Sequence, residues 1–355
     1  MPDFDAALAR LRELIQAALD DFLNQHAQPL LAISPDLQPA LSALSDMLRG
    51  GKRLRPAFCY WGFVGAGGQV GDPIIKAAAA LELLQASALI HDDVMDNSDT
   101  RRGAPAVHRR FAELHGEQQW NGAPESFGAA AAILIGDLAL VWTDAMLFDS
   151  GFEDKALRRA KPVFDAMRAE LMAGQFLDVL EQSRGGGSVQ RAVRVMRFKT
   201  TAYTIERPLH LGAALAGAES AVLEAYTAFG VPLGEAFQLR DDVLGVFGDT
   251  TLTGKPAGDD VREGKRTILI ALAQERGNSS QRSLLERQLG NPELDAVGLT
   301  QVQEVLRDSG ALAEVELRIA RNREAALSAL QLPQLAGDAV TALQALALAA
   351  TDRSA

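Results

Sequence analysis

"ALIHDDVMDNSDTRRG", residues 88–103, is an apolar run that breaks into four aspartates and then a pair of arginines. Upstream of it, apolar residues recur at helical spacing, which predicts one long helix over about 74–96 whose carboxyl end carries Asp92, Asp93 and Asp96. A second segment, 220–247, follows the same plan and ends in "QLRDDVLGVFGD", with Asp241 and Asp242 near its carboxyl end. Helices that finish in carboxylates work against their own macrodipoles, and two such ends repel if they meet, unless cations lie between them. Outside these segments the spacing is again helical, leucine and alanine dominate, and strand-like alternation is scarce. The expected fold is therefore all-α, with about ten or more helices.

Breaks are expected at 28–39, 65–73, 115–128, 183–188, 248–260 and 290–298, where Gly, Pro, Ser and Asp cluster. No long Pro/Ser linker, composition shift or repeat period separates these segments, so residues 1–355 are read as a single domain. A hydrophobic share of 48% with 23% charged residues suffices for a large buried core. The formal net charge of -11 and a pI near 5.0 argue against nucleic-acid binding, which needs a basic face. Cys59 stands alone, which excludes an intramolecular disulfide and fits a reducing, cytoplasmic setting. The amino terminus carries early acids and a helical apolar stripe through Phe4, Leu8, Leu11, Ile15, Leu19 and Phe22, unlike a leader peptide. The most apolar stretch, 127–142, is interrupted by Asp137 and is shorter than a membrane span, so no transmembrane segment is expected.

On a helix, Asp92 and Asp96 share a face about 6 Å apart along the axis, while Asp93 projects about 100° away. Carboxylates without His or Cys partners suit Mg²⁺, which keeps waters and completes its shell with substrate phosphates. The plain alternative is a solvated helix end. Asp241 and Asp242, with Gln238 one turn earlier, offer a second acidic wall, and two such walls with Mg²⁺ between them would hold a polyphosphate. "RGGKRLRP", 49–56, gathers Arg49, Lys52, Arg53 and Arg55 around two glycines, a cradle for a diphosphate. Arg101, Arg102, Lys199, Arg207, Lys255, Lys265 and Arg266 supply further cations near the acidic strings. Two anion sites above apolar helices imply two diphosphate substrates with hydrocarbon tails.

"GGKRLRP", "LIHDDVMDNSDTRRG", "GQFLDVL", "FKTTAY", "FQLRDDVLGVFGD", "TGKPAGDD" and "EGKRT" occur in this order between about 45 and 275. In them the chain resembles the trans-isoprenyl diphosphate synthases, the polyprenyl synthetases of geranylgeranyl diphosphate synthase type. The resemblance implies an isoprenoid synthase-type helical bundle around a central cavity, acting as a homodimer. The implied reaction is Mg²⁺-assisted ionisation of an allylic diphosphate (C5 to C15) and 1′-4 condensation with isopentenyl diphosphate. It further implies that Asp92, Asp93, Asp96, Asp241 and Asp242 bind three Mg²⁺ ions. Lys52, Arg55, Arg102 and Gln85 would meet isopentenyl diphosphate, and Arg101, Lys199, Gln238, Lys255 and Lys265 the allylic diphosphate. Thr200 and Gln238, with Lys199, would stand beside the forming cation. Two departures stand out: Gly245 occupies the fifth place of a usual DDxxD, and Gln85 stands where many members have histidine.

One helical turn rises about 5.4 Å, close to one extended isoprene unit, so the helix before Asp92 serves as a ruler. Ala88 and Ser87 are small where members that stop at fifteen carbons commonly place an aromatic, and Leu84 lies one turn deeper. The reading is a C20 product, with C15 or longer chains as alternatives. Rival functions are a class I terpene cyclase, which needs no second diphosphate site, a non-catalytic regulatory subunit of a prenyltransferase, and a purely structural helical protein.

Overall fold

The computed structural model describes residues 2–184, 186–248, 257–331 and 335–351. Among them the chain is all-α apart from one hairpin, in which Thr100–Arg101 (β1) pairs antiparallel with Ala104–Pro105 (β2). It gathers into two compact units, Met1–Lys161 with Pro208–Ala218, and Pro162–Arg207 with Glu219–Ala355.

The first unit is built around α4 (Asp72–Met95). This helix starts after Gly71 with an acid and a proline in its first turn, a favourable amino-terminal pair. Ala77 to Ala80, Leu81, Leu83 and Leu84 are all buried, and Glu82 is buried among them, so this part of the helix sits inside the unit. It packs against α1 (Pro2–Ile33), α3 (Leu54–Gly65) and α6 (Pro124–Phe148). α2 (Gln38–Met47) and α5 (Val107–Glu117) complete the layer, joined by the unit's part of α9 (Arg207–Ala216). The break expected from residue 28 falls later: α1 continues through Pro29 to Ile33. Pro29 forfeits the bond its N–H would give to the carbonyl four residues earlier, and the buried stripe of Leu8, Leu11, Ile15, Leu19 and Phe22 holds the helix in place despite that loss. Ser34 then accepts a bond from Asp36 N at 3.2 Å and opens a short 3₁₀ turn over Pro35–Leu37.

The second unit contains the main part of α7 (Asp154–Arg184) and α8 (Val189–Met196), then α10 (Ser220–Phe247) and α11 (Asp259–Arg262). α12 (Ile268–Arg276), α13 (Ser279–Gln288), α14 (Ala296–Asp308), α15 (Ala311–Ala329) and α16 (Gly337–Thr351) follow. Leu239, Val243 and Val246 of α10 form its core with Leu269, Leu272, Leu285, Val302, Leu306 and Val315. Between α8 and α9, Arg197–Glu206 winds as a π-helix, a form common at functional sites.

Both α4 and α6 are long and apolar enough to cross a membrane by length and composition. Most of α4 is buried in its unit, while α6, longer than the apolar stretch at 127–142, leaves part of one face exposed. Backbones within the first unit approach closely where glycine replaces a side chain: a Cβ at Gly62 on α3 would lie 2.6 Å from Leu209 O on α9. Because a carbonyl cannot swing aside, Gly62→Val is expected to destabilise the chain by about 1–3 kcal/mol, read as a lower denaturant midpoint. An unchanged midpoint would refute this packing.

Candidate active site

In the first unit the acids stand where α4 ends. Asp96 caps the helix, its N–H donating to Asp92 O at 2.8 Å, and both side chains are half-buried. Asp93 is fully buried and accepts Arg101 Nε at 2.9 Å together with a second N–H of the same guanidinium. Arg101 also lies 3.8 Å from Asp92. The β1–β2 hairpin accounts for this pairing, since it turns the chain back on the helix end just after the acids. Arg101 thus neutralises charge that the helix dipole would otherwise oppose.

Arg102 goes elsewhere. In the left-handed region (φ 55), it donates to Met47 O at 3.2 Å and Arg49 O at 3.0 Å, at the end of α2. A Cβ at Gly51 would lie 3.4 Å from its guanidinium, so the glycine loop and Arg102 lie side by side. Lys52 is exposed and Arg55 half-buried, but Arg53, counted above among the cradle cations, is 4% exposed and turned inward. Along α4, Gln85, Ala88, Leu89 and Asp92 are the half-buried positions of one stripe that ends at Asp96, whereas Leu84 and Ser87 are wholly buried. His91 faces α6: its Nε2 lies 3.1 Å from Ile133 O. Cys59 is unavailable, since burial alone drives its thiol pKa far up.

In the second unit the "FKTTAY" and "GQFLDVL" strings meet. Lys199 on the π-helix donates to Asp178 on α7 at 2.6 Å, and Thr200 follows, half-buried. The approach requires glycine: a Cβ at Gly174 would lie 2.3 Å from Lys199 N. Gln238 donates to Asp242 Oδ1 at 2.7 Å one turn along α10. Burial pushes the Asp242 carboxyl up to about 8, with Asp260 and Asp241 adding repulsion and Gln238 and Lys265 opposing it. Asp241 is half-buried beside it.

Gly245 is explained by what fills its place. A Cβ there would lie 1.9 Å from Asp260 Oδ2, so the carboxylate of Asp260 occupies the space of a fifth-position side chain. Lys265 donates to Asp260 Oδ1 at 3.3 Å and also pairs with Glu263. Lys255 and Asp249 lie outside the described residues.

Among the described residues no three His, Cys, Asp or Glu side chains form a ready-made metal cage. In the first unit Asp92 and Asp96 are oxygen donors of the kind a hard cation such as Mg²⁺ takes, and in the second unit Asp241 is another.

The polyprenyl synthetase family model matches residues 38–306. The chain belongs to the polyprenyl synthetase family. It is 32% identical to a geranylfarnesyl diphosphate synthase of Aeropyrum pernix, over 83% of this chain and 87% of that one. It is 34% identical to a geranylgeranyl diphosphate synthase of Methanosarcina mazei, over 74% and 73%. A crystal structure of geranylgeranyl pyrophosphate synthase from Corynebacterium glutamicum, complexed with isoprenyl diphosphate and magnesium, superposes with a TM-score of 0.94. The two are 42% identical, and the match covers 98% of this chain and 99% of that one. This polyprenyl synthetase is accordingly a trans-prenyltransferase that elongates isoprenyl chains.

Asp178 and Asp260 escaped the residue-level reading of this polyprenyl synthetase. Asp178 lay inside a quoted motif without a partner in sight, and Asp260 ends a "GDD" 15 residues after Gly245. Asp242 also makes stability pH-dependent. Between about pH 4 and pH 8 the folded chain keeps a proton that the unfolded chain has lost, so stability falls as pH rises across that window. Metal-free Asp242→Asn should therefore lose less thermal stability than the parent from pH 6.5 to 8, the difference being at most about 1.4 kcal/mol per pH unit. Parallel pH profiles would contradict the buried, protonated carboxyl.

Proposed function

We propose that the chain condenses isopentenyl diphosphate with an allylic diphosphate in 1′-4 fashion to give geranylgeranyl diphosphate. The observation that carries this reading is the α4 stripe, on which Asp92 and Asp96 stand at the carboxyl end of the helix with Ala88 and Gln85 one and two turns before Asp92. Asp92, Asp96 and Asp241 would hold Mg²⁺, three ions with substrate bound, while Asp93 orients Arg101 and Asp242 rests on Gln238. Bound Mg²⁺ supplies charge to stabilise the departing diphosphate.

The chain's own residues do the rest. Arg101, Lys199, Lys255 and Lys265 meet the negative charge that grows on the leaving diphosphate. Lys52, Arg55, Arg102 and Gln85 receive isopentenyl diphosphate and set its alkene against the allylic carbon, so that positioning supplies much of the rate. Thr200 and Gln238 direct dipoles toward the forming cation. Apolar helix faces exclude water, so the cation meets the alkene first. The allylic C–O bond breaks, a C–C bond forms, and the released diphosphate takes the final proton.

Product length follows from Ala88, the small residue on the open stripe about 6 Å before Asp92. Ser87 and Leu84 are buried behind it and shape the wall. Asp92→Ala should lower turnover by about 10³-fold or more with folding intact, and Ala88→Phe should move the product to C15. Normal turnover in the first, or an unaltered product in the second, would overturn these roles.

Phe127, Leu134, Val141 and Phe148 are exposed on α6 at intervals of seven residues, Leu134 at 68% and Val141 at 64%. Such a stripe is suited to a second copy of the same helix. The chain is thus proposed to work as a cytoplasmic homodimer without a membrane span, α4 serving as a core helix. Leu134→Asp with Val141→Asp should yield a particle of 37.9 kDa by light scattering instead of one about twice that mass. An unchanged mass would remove α6 from the interface.

A further inference from the structure

The glycine loop before α3 runs through Gly50 (φ 68), Gly51 (φ 87) and then Arg53 (φ 53, ψ 38) in the left-handed region. Glycine adopts that region freely, but for Arg53 it is unfavourable and must be offset by what the side chain gains. Lys52 and Arg55 on either side are accessible, while Arg53 and Glu82 are 4% and 6% exposed. The Arg53 guanidinium bonds Glu82 on α4, Gln16 Oε1 on α1 at 2.6 Å, and Leu48 O at the end of α2. One planar fork therefore ties three helices to the loop.

Two further contacts place this fork beside the diphosphate cradle. Arg102 donates to Met47 O and Arg49 O, the carbonyls flanking Leu48, so both arginines use the same helix end, where the dipole is negative. Glu82 also stands three residues before Gln85, on the same helix. Its charge opposes the lowering of the Arg102 pKa, which comes from desolvation first and then from Arg53, Arg101 and Arg55. Glu82 is the one acid among the charges that act on Arg102.

We propose that Arg53 and Glu82 form a buried positioning pair that sets the Lys52–Arg55 loop and Arg102 in place to receive isopentenyl diphosphate. Neither residue touches substrate. The inference rests on the function proposed above. A pair that served only packing would lower stability when altered and leave the two substrates equally affected.

The test is steady-state kinetics on the full chain, varying each diphosphate separately, with thermal unfolding of every variant. The variants are Glu82→Gln, Arg53→Lys and the double change Arg53→Met with Glu82→Leu. The double change matters most, because replacing both charges by apolar groups avoids the uncompensated buried ion that single changes leave. It should leave the chain folded, with an unfolding temperature lowered by the lost bonds to Gln16 and Leu48 O, and raise the KM for isopentenyl diphosphate about tenfold or more, with the allylic KM within about twofold. Arg53→Lys, which keeps the charge but loses the fork, should shift the same constant in the same direction by less. Unchanged constants in a folded double variant, or equal rises for both substrates, would overturn the proposal. If the parent turns over no allylic primer, the functional reading fails, and calorimetry with isopentenyl diphosphate alone decides on the pair. Binding about tenfold weaker in the double variant would sustain it, and equal or absent binding would end it.

Discussion

The arrangement depends on carboxylates at the wrong end of a helix. α4 places Asp92, Asp93 and Asp96 at its carboxyl terminus, where unsatisfied carbonyls already carry partial negative charge. Such an end is stable only if positive charge is supplied. The chain provides one instalment itself, because the hairpin returns Arg101 onto Asp93. Asp92, 3.8 Å from the same guanidinium, and Asp96 lie half-buried on the stripe that closes the helix. α10 repeats the logic at Asp241 and Asp242, where Asp242 meets its burial by holding a proton and accepting from Gln238.

Positioning is the second theme. The cations proposed to meet the two diphosphates are held by acidic side chains of the same unit: Asp178 holds Lys199, Asp93 holds Arg101, and Glu82 holds Arg53 in the loop between Lys52 and Arg55. In each case a buried or half-buried carboxylate determines where a guanidinium or ammonium can point. Glycine permits the approach where backbone meets backbone, most clearly at Gly174 against Lys199. Preorganised charge of this kind is worth more than the same charge on mobile side chains.

The long helices were legible because their signal is periodic and extends over many turns. Residues 74–96 and 220–247 were expected and Asp72–Met95 and Ser220–Phe247 observed. Punctuation was less reliable, as at Pro29, which α1 runs through because tertiary packing outweighs one lost backbone bond. Arg53 looked like a cradle cation because sequence shows charge density but not direction, and its partners Gln16 and Glu82 lie 37 and 29 residues away. The π-helix over Arg197–Glu206 has no periodic signature to distinguish it from an α-helix. Gly245 became interpretable only when Asp260 was seen to fill its place.

The most direct test of the central claim is to incubate the purified chain with Mg²⁺, isopentenyl diphosphate and, separately, C5, C10 and C15 allylic diphosphates, and to identify products by mass spectrometry. The account predicts Mg²⁺-dependent elongation that ends at C20. Product chains of another length would keep the chemistry and contradict the ruler on α4, and no product from any primer with folded protein would contradict the account itself.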